Sequence, residues 1–397
     1  MIGNTMAAVA IPWFVLQETG SASQTGFTGM AAALPMAMSG VFGGPLVDRL
    51  GGRKMSIISD VISALAVLAI PILHMLDLLT YPLILVLVFL GAMLDIPGVT
   101  ARRMLLPGFQ KQAELRAEQM NSAFEVLNNA SSMVGPVVAG ALIAFIGPVN
   151  VLWLTVGGFL ASAAGVYFFA PPNPQDRHTQ RQPYLESMKE GFRFIGQTPV
   201  LLAMALLFGI SNFVSNGFWG VGLQVFAYET WDTATRLGVL ISAVGVGTLS
   251  GAMLYGVMGH RWLKHRREIL LIGFSTQWLW LSAFLFTTSL PVLLLAMFLV
   301  GFSAGPANPM SVTIRFEHIP VVLRGRVFAT FSAITAAITP VGIAAAGLII
   351  EHYGIHTGIT CLVVAYALLG LALPFVPAFH DMNHQGPYVE GKSAAQD

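Results

Sequence analysis

Apolar residues run through this chain in long unbroken blocks, and breaks at charges, glycines and prolines cut the blocks into twelve segments. These lie near residues 1–17, 25–46, 55–76, 81–100, 118–145, 150–170, 199–223, 235–258, 269–288, 290–312, 327–350 and 357–377. Blocks of ~20 residues match the length an α-helix needs to cross a hydrocarbon core of ~30 Å. Barrel strands would be half as long and would alternate apolar with polar positions, which these do not. The pattern therefore predicts an all-α membrane protein with twelve transmembrane helices. The first block rises only ~26 Å as a helix, so it is expected either to start at the membrane edge or to have its true beginning upstream of Met1.

Composition points the same way. Of 397 residues, 55% are hydrophobic and 10% charged, and the mean hydropathy is +0.72. Soluble domains carry about a quarter charged residues, so this chain could not cover a surface facing water. In lipid the backbone must satisfy its own hydrogen bonds, which favours helices throughout. A net charge of +1 with no long run of bases argues against a nucleic-acid partner. Cys361 is the single cysteine, so no intrachain disulfide is expected. The first segment lacks a basic leader and a small-residue cleavage site, so no cleavable signal peptide is expected.

The few charges are informative by where they fall. Nineteen of the twenty Lys and Arg residues lie in the loops after even-numbered spans or in the C-terminal tail, and only Arg236 lies on the other side. The positive-inside rule then predicts both termini and all even loops in the cytoplasm of a cell membrane. The longest polar stretch, 171–198, opens with Pro171, Pro172 and Pro174 and divides the spans six and six. Its Leu185, Met188, Phe192 and Ile195 fall on one helical face, as in a helix lying on the membrane interface or a solvated linker helix.

The halves echo each other. RAEQMNSAF from Arg116, with GPVVAG from Gly135, is matched by RGRVFATF from Arg324 with TPVGIAAAG from Thr339, 208 residues apart at their starts. Internal repeats of this size mark membrane carriers that work by alternating access. The expected organisation is an N-terminal six-helix bundle (1–170), a cytoplasmic linker (171–198), a C-terminal six-helix bundle (199–377) and a cytoplasmic tail (378–397).

The loop GGPLVDRLGGRK, Gly43 to Lys54, resembles the G-x-L-x-D-R-x-G-R-K motif of the major facilitator superfamily, with Gly44, Leu46, Asp48, Arg49, Gly51 or Gly52, Arg53 and Lys54 at its positions. Gly135, Pro136 and Gly140 look like the fifth-helix motif of that superfamily's antiporters. The opening GNTMAAVAIPWFVLQETGSA and RRMLLPGF after span four look most like its drug-efflux branch, with macrolide effluxers and an enterobactin exporter. The resemblance implies two pseudo-symmetric six-helix bundles with a cavity lined by spans one, four, seven and ten. It also implies that Asp48, Arg49 and Arg53 form a cytoplasmic gate latch, Asp48 facing the start of span eleven and Arg53 pairing with Asp60 or Asp95. The alternative is that these charges only set topology. Span four lacks the Arg of many proton-coupled members and has Asp95 and Pro97 near that place.

Asn121, Glu125, Asn128 and Ser132 recur at i, i+4, i+7 and i+11 on span five, a polar stripe on an apolar helix. A charge near mid-membrane costs at least ~2.5–3.5 kcal/mol on insertion scales, so Glu125 either exchanges protons and binds a cationic ligand or pairs with Arg116 or Arg102. Asp60 and Asp95 are further coupling candidates, each within reach of bases that would make it structural. On span seven Asn212, Asn216 and Trp219 share a face, and Asn4, Trp13, Gln277 and Asn308 extend the polar and aromatic set. Each is either cavity lining or helix-to-helix glue. The glycine-proline breaks in spans five, ten and eleven are hinges or fixed kinks, and the pairs Gly247–Gly251 and Gly301–Gly305 predict close helix packing. GPYVEGKS at 386–393 fits a phosphate-loop pattern but has neither the strand nor the helix that loop needs. The histidines lack a convergent acid or cysteine set, so neither metal nor cofactor is expected.

The sequence thus predicts a monomeric secondary transporter that exports small amphipathic molecules by alternating access in exchange for protons. Its rivals are an importer or facilitator of a small metabolite and, from another class, a membrane-embedded enzyme or a sensor.

Overall fold

The computed structural model describes residues 2–170, 184–258, 265–383 and 388, with side-chain environments for all of these except 39–45, 48, 184–187 and 381. The phosphate-loop look-alike at 386–393 lies outside the described residues apart from Tyr388. Among the described residues, helices account for every regular element and there is no strand.

The first six expected spans are α1 (Ile2–Thr19), α2 (Ala22–Leu50), α3 (Gly52–Met75), the pair α4 (Tyr81–Ala92) and α5 (Asp95–Gln112), α6 (Ala117–Ile146) and α7 (Pro148–Phe169). The linker carries α8 (Tyr184–Gln197). Beyond it come α9 (Pro199–Gly217), a π-turn (Phe218–Gly222) and α10 (Leu223–Trp231), then α11 (Ala234–Met258). The rest is α12 (Arg266–Ser275), α13 (Gln277–Leu281), α14 (Ala283–Phe286), α15 (Leu290–Ala304), α16 (Ala307–His318), α17 (Arg324–Ala337) and α18 (Thr339–Ala372). Nine described stretches are long and apolar enough to cross a membrane, the last of them, Val321–Phe375, being 55 residues long. That stretch turns at Gly354 (φ 80°) inside α18 and accommodates two passes, while α1 and α2 precede the nine. The order of helices is that of the twelve expected spans.

Prolines sit where a helix start has no amide partner to lose: Pro82, Pro148, Pro199, Pro291 and Pro340 all fall in the first turn of their helices. Span four runs past its expected end near residue 100, because α5 continues to Gln112 and carries Arg102 and Arg103 on a helix instead of a loop. The repeat is visible in the backbone. Gly147 (φ 81°, ψ 158°) between spans five and six and Gly354 (φ 80°, ψ 163°) between spans eleven and twelve make the same turn, 207 residues apart. That conformation is open essentially to glycine alone.

Contacts group the chain into two compact units. Unit 1 is Met1–Gln180 with Trp219–Ser242 and Ile343–His352. In it α3 packs on α5 and α7, and α1 on α6 and α7, with Trp13, Phe14, Met55, Ile70 and Leu152 fully buried. Unit 2 is Arg181–Phe218 with Ala243–Gly342 and Tyr353–Asp397. Its core joins Leu201, Met204, Met310, Ile314 and Phe331 to Phe379 and Met382 from a 3-10 turn, Pro377–Asn383, at the head of the tail. The linker helix α8 packs on α17 through Gly191 against Thr330, buried Ile195 and a Glu190–Arg326 ion pair. Phe192 of the expected apolar face is exposed instead, because the glycine, not the phenylalanine, allows close approach.

Gly247 and Gly251 of α11 lie on the backbone of Phe298 and Phe302 of α15, and Gly301 and Gly305 lie on Val244 and Thr248. A side chain at any of these would overlap main chain, with nothing flexible to yield. Gly247→Leu is therefore expected to destabilise the protein by roughly 1–3 kcal/mol, whereas Gly165→Leu, at a glycine with nothing within 4 Å of a Cβ, leaves stability unchanged. Thermal unfolding followed by size-exclusion chromatography in detergent compares the two.

Candidate functional site

Three groups of residues in unit 1 and one in unit 2 gather the polar chemistry. The first is an acid–base cluster between α3, α5, α7 and α1. Asp60, 4% exposed, takes Arg102 Nη1 on one carboxylate oxygen at 3.0 Å and Ser162 Oγ on the other at 2.7 Å. Asp95 is half-buried one helical step away and is touched by the Asn4 side chain of α1. The Arg102 and Asp60 charges both act on it, yet the Arg102 hydrogen bond goes to Asp60, and Asp95 makes no ion pair among the described residues. Arg53, expected beside Asp60 or Asp95, instead donates to the Tyr167 carbonyl at 2.5 Å and lies over the Tyr167 ring. Of the loop motif, Arg49 and Lys54 are exposed and Gly52 is buried against the Ala101 carbonyl. The Gly44 and Asp48 side chains lie outside the described residues.

The second group is the stripe on α6. Asn121, Glu125 and Ser132 are exposed and Asn128 is half-buried, while Leu127 and Val134, on the opposite side of the same helix, are exposed too. An intramembrane helix with one bare apolar side and one bare polar side has lipid against the first and water against the second. Glu125 pairs with Arg103 at 2.8 Å, with Arg102 and Arg116 uninvolved, and Arg103 also lies over the Phe124 ring. Both partners are about half exposed, 54% and 50%, so this pair adds little stability.

The third group lies at the end of unit 1 opposite the cationic loops. Gly140 of α6 sits on the Ala234 carbonyl of α11, and Gly238 of α11 sits on the Pro136 carbonyl. Thr235 Oγ1 donates to the Gly140 carbonyl at 3.3 Å. α6 runs unbroken through Pro136, and in the turns before it two further carbonyls take hydroxyls from neighbouring helices, Ser131 from Thr5 and Met133 from Ser242. Gly135 itself packs on Thr5. On the other side Gly26 of α2 and Gly347 of α18 approach so closely that a Cβ on either would lie 3.0 Å from the other's Cα. Glu351 closes this seam by accepting from Ser21 Oγ (3.1 Å) and Ser23 N (3.2 Å) at the start of α2.

Unit 2 uses most of its predicted amides internally. Asn212 Nδ2 donates to the Thr335 carbonyl at the break between α17 and α18 (3.1 Å), and Asn216 Nδ2 to the Asn212 carbonyl (2.8 Å). Gln277 is 5% exposed and its amide nitrogen serves Gly273, Val300 and Ser303, so it is glue between spans nine and ten. Asn308 is exposed on α16. Trp219, a residue of unit 1, is half-exposed inside the π-turn. Sequence reading missed Arg103, Ser162 and Glu351. The first two stand in recognisable arginine and small-residue patterns but need a partner 22 or 102 residues away, and no local period reveals that.

A family model for the Major Facilitator Superfamily matches residues 1–234 and 210–390, and the chain belongs to that superfamily. Multidrug efflux pump Tap of Mycolicibacterium fortuitum is 32% identical over 390 residues, covering 96% of this chain and 94% of that protein. Tap of Mycobacterium tuberculosis (strain ATCC 25618 / H37Rv) is 27% identical, covering 96% and 91%. Macrolide efflux protein A of Streptococcus pyogenes is 23% identical, covering 90% and 88%. Among solved structures, a mutant of the nucleoside transporter NupG superposes with a TM-score of 0.77 at 12% identity over 94% of this chain and 96% of that one. A D-xylose-proton symporter gives 0.71 at 16% identity over 95% of each. At such identities these two establish the fold alone. The protein is a multi-pass membrane transporter of small molecules, and its family is one of carriers, not enzymes.

Two outcomes follow from this geometry. Arg102→Met strands the Asp60 carboxylate and is expected to cost ~3–5 kcal/mol, whereas adding Asp60→Asn recovers most of that loss in a thermal-unfolding cycle. Gly140→Leu prevents α6 from meeting α11. In a Cys361→Ser background it should raise bulky-maleimide labelling of Thr235→Cys several-fold over the same cysteine beside Gly140.

Proposed function

We propose that the protein is a proton-coupled multidrug exporter of a bacterial cell membrane, monomeric, with both termini and the cationic loops in the cytoplasm. The observation that carries the coupling is the state of Asp95: an intramembrane carboxyl, contacted by Asn4 of span one, whose nearest base is already held by Asp60. An unpaired acid at that depth is costly unless it takes up a proton or meets a cationic ligand. Binding either one neutralises it, and the two are mutually exclusive, which is the requirement for exchange. Asp60 is unsuited to that role because both of its oxygens are occupied. Glu125 is better suited to the cavity wall: it is half exposed and already faces Arg103.

In this reading the Asn121–Ser132 stripe lines the water-filled path, and the seam of Gly140, Gly238, Gly26, Gly347 and Glu351 is the external gate. Opening it would separate the outer parts of spans seven, eight and eleven from the helices of the first half. The resemblance to Tap and to macrolide efflux protein A along nearly the whole chain supports drug-like cargo and an outward direction. The sparse amides and the aromatic Trp13 and Trp219 suit an amphipathic ligand better than a sugar, which needs denser hydrogen bonding.

Ethidium efflux from energised cells or proteoliposomes tests the assignment. Asp95→Asn should reduce pH-gradient-driven efflux to the level left by an uncoupler, while Glu125→Gln retains most of it at equal expression. Full gradient-driven efflux by Asp95→Asn would remove Asp95 from the mechanism, and uncoupler-insensitive efflux by the wild type would remove the proton.

A further inference from the structure

The cluster around Arg102 has a counterpart in unit 2 that is missing its acid. Arg53 and Arg266 stand 213 residues apart, as do Asp95 and Asn308, and Arg102 and Arg315. Spans three and four thus align with spans nine and ten. The residue 213 places after Asp60 is Gly273, and its Cα faces the Ser303 main chain, where even a Cβ would lie 2.6 Å from the carbonyl oxygen. No acid can stand there. Arg315 is nevertheless kept, 7% exposed.

What surrounds Arg315 is aromatic. The rings of Phe328 and Phe331 lie 4.5 and 4.4 Å from its guanidinium carbon. Among the described residues its one hydrogen bond is from Nε to the Ser311 carbonyl at 3.2 Å, and no carboxylate pairs with it. The nearby Glu317 is not available, because Arg266 holds both its oxygens at 2.7 and 2.8 Å. Ser311, one turn before Arg315, is 1% exposed, and its hydroxyl has no hydrogen-bond partner. Asn308, Ser311 and Arg315 follow one another at i, i+3 and i+7, so one face of α16 carries an exposed amide, an unpartnered hydroxyl and a cation with no carboxylate beside it among the described residues.

From this we propose that Arg315 and Ser311 form a binding site for a carboxylate. With Nε engaged, the guanidinium offers its two terminal nitrogens as a planar fork, the shape that a carboxylate matches with two parallel hydrogen bonds. The Ser311 hydroxyl is a third donor, and the two phenylalanines shield the pair from water, which strengthens it. A free or cargo carboxylate would play toward Arg315 the charge-pairing part that Asp60 plays toward Arg102.

Thermal unfolding of the purified full-length protein in detergent, titrated with benzoate or with neutral benzamide, reads the site without reference to transport. At roughly ten times Kd, benzoate should raise the apparent Tm by about 2 °C over benzamide. Arg315→Met should abolish the difference, and Arg315→Lys, which keeps the charge but loses the fork, should reduce it. The proposal is overturned if the protein does not distinguish benzoate from benzamide, or if Arg315→Met still does. Because the readout is binding, an exporter that proves uncoupled from protons leaves this result standing.

Discussion

Ionic groups inside a lipid-facing bundle need a partner, and the architecture of this carrier follows from how each charge finds one. Asp60 is held by Arg102 and Ser162, and Arg266 by Glu317. The two pairs occupy the same spans of the two halves with the charges exchanged. Replacing either pair by apolar residues could leave stability unchanged, so their value lies in fixing spans three and nine against four and ten. Asp95 and Arg315 are the departures from that rule. Each is a charge at least half buried whose obvious partner is engaged or replaced.

Small residues supply the second constraint. Between lipid tails no hydrophobic force drives helices together, so backbone must meet backbone closely enough for dispersion to hold it. Gly247, Gly251, Gly301 and Gly305 do this within unit 2, and Gly140, Gly238, Gly26 and Gly347 within unit 1. The former join helices neighbouring in one half of the sequence. The latter join helices from different halves of the sequence, where Leu237, Leu240, Ile343 and Ile350 are buried as well.

Much of this was legible in the sequence. Span positions, the breaks in spans ten and eleven, the glycine pairs and the membership of the superfamily all rest on local spacing or on contiguous motifs, whereas α6 runs through Pro136 without the expected break. The site was legible as a set of residues but not as a set of partners. Gln277, Asn212 and Asn216 read as cavity amides because a polar residue in an apolar block looks the same whether it faces water or a neighbouring carbonyl. Glu125 was expected beside Arg102 or Arg116, yet it meets Arg103, one residue along α5, because that helix continues past its expected end and turns the next arginine toward α6. Gly191 of the linker helix was passed over in favour of Phe192, since periodicity rewards large apolar residues and says nothing of where two backbones touch.

The head of the tail has a practical side. Phe379 and Met382 are as buried as any side chain in unit 2, and Asn383 receives the Arg267 amide at the start of α12. Seven residues beyond the last membrane pass therefore act as a keystone set from the aqueous side. An affinity handle or fluorescent reporter spliced on directly after Val376 would displace that keystone, while one joined beyond Tyr388 would leave it seated.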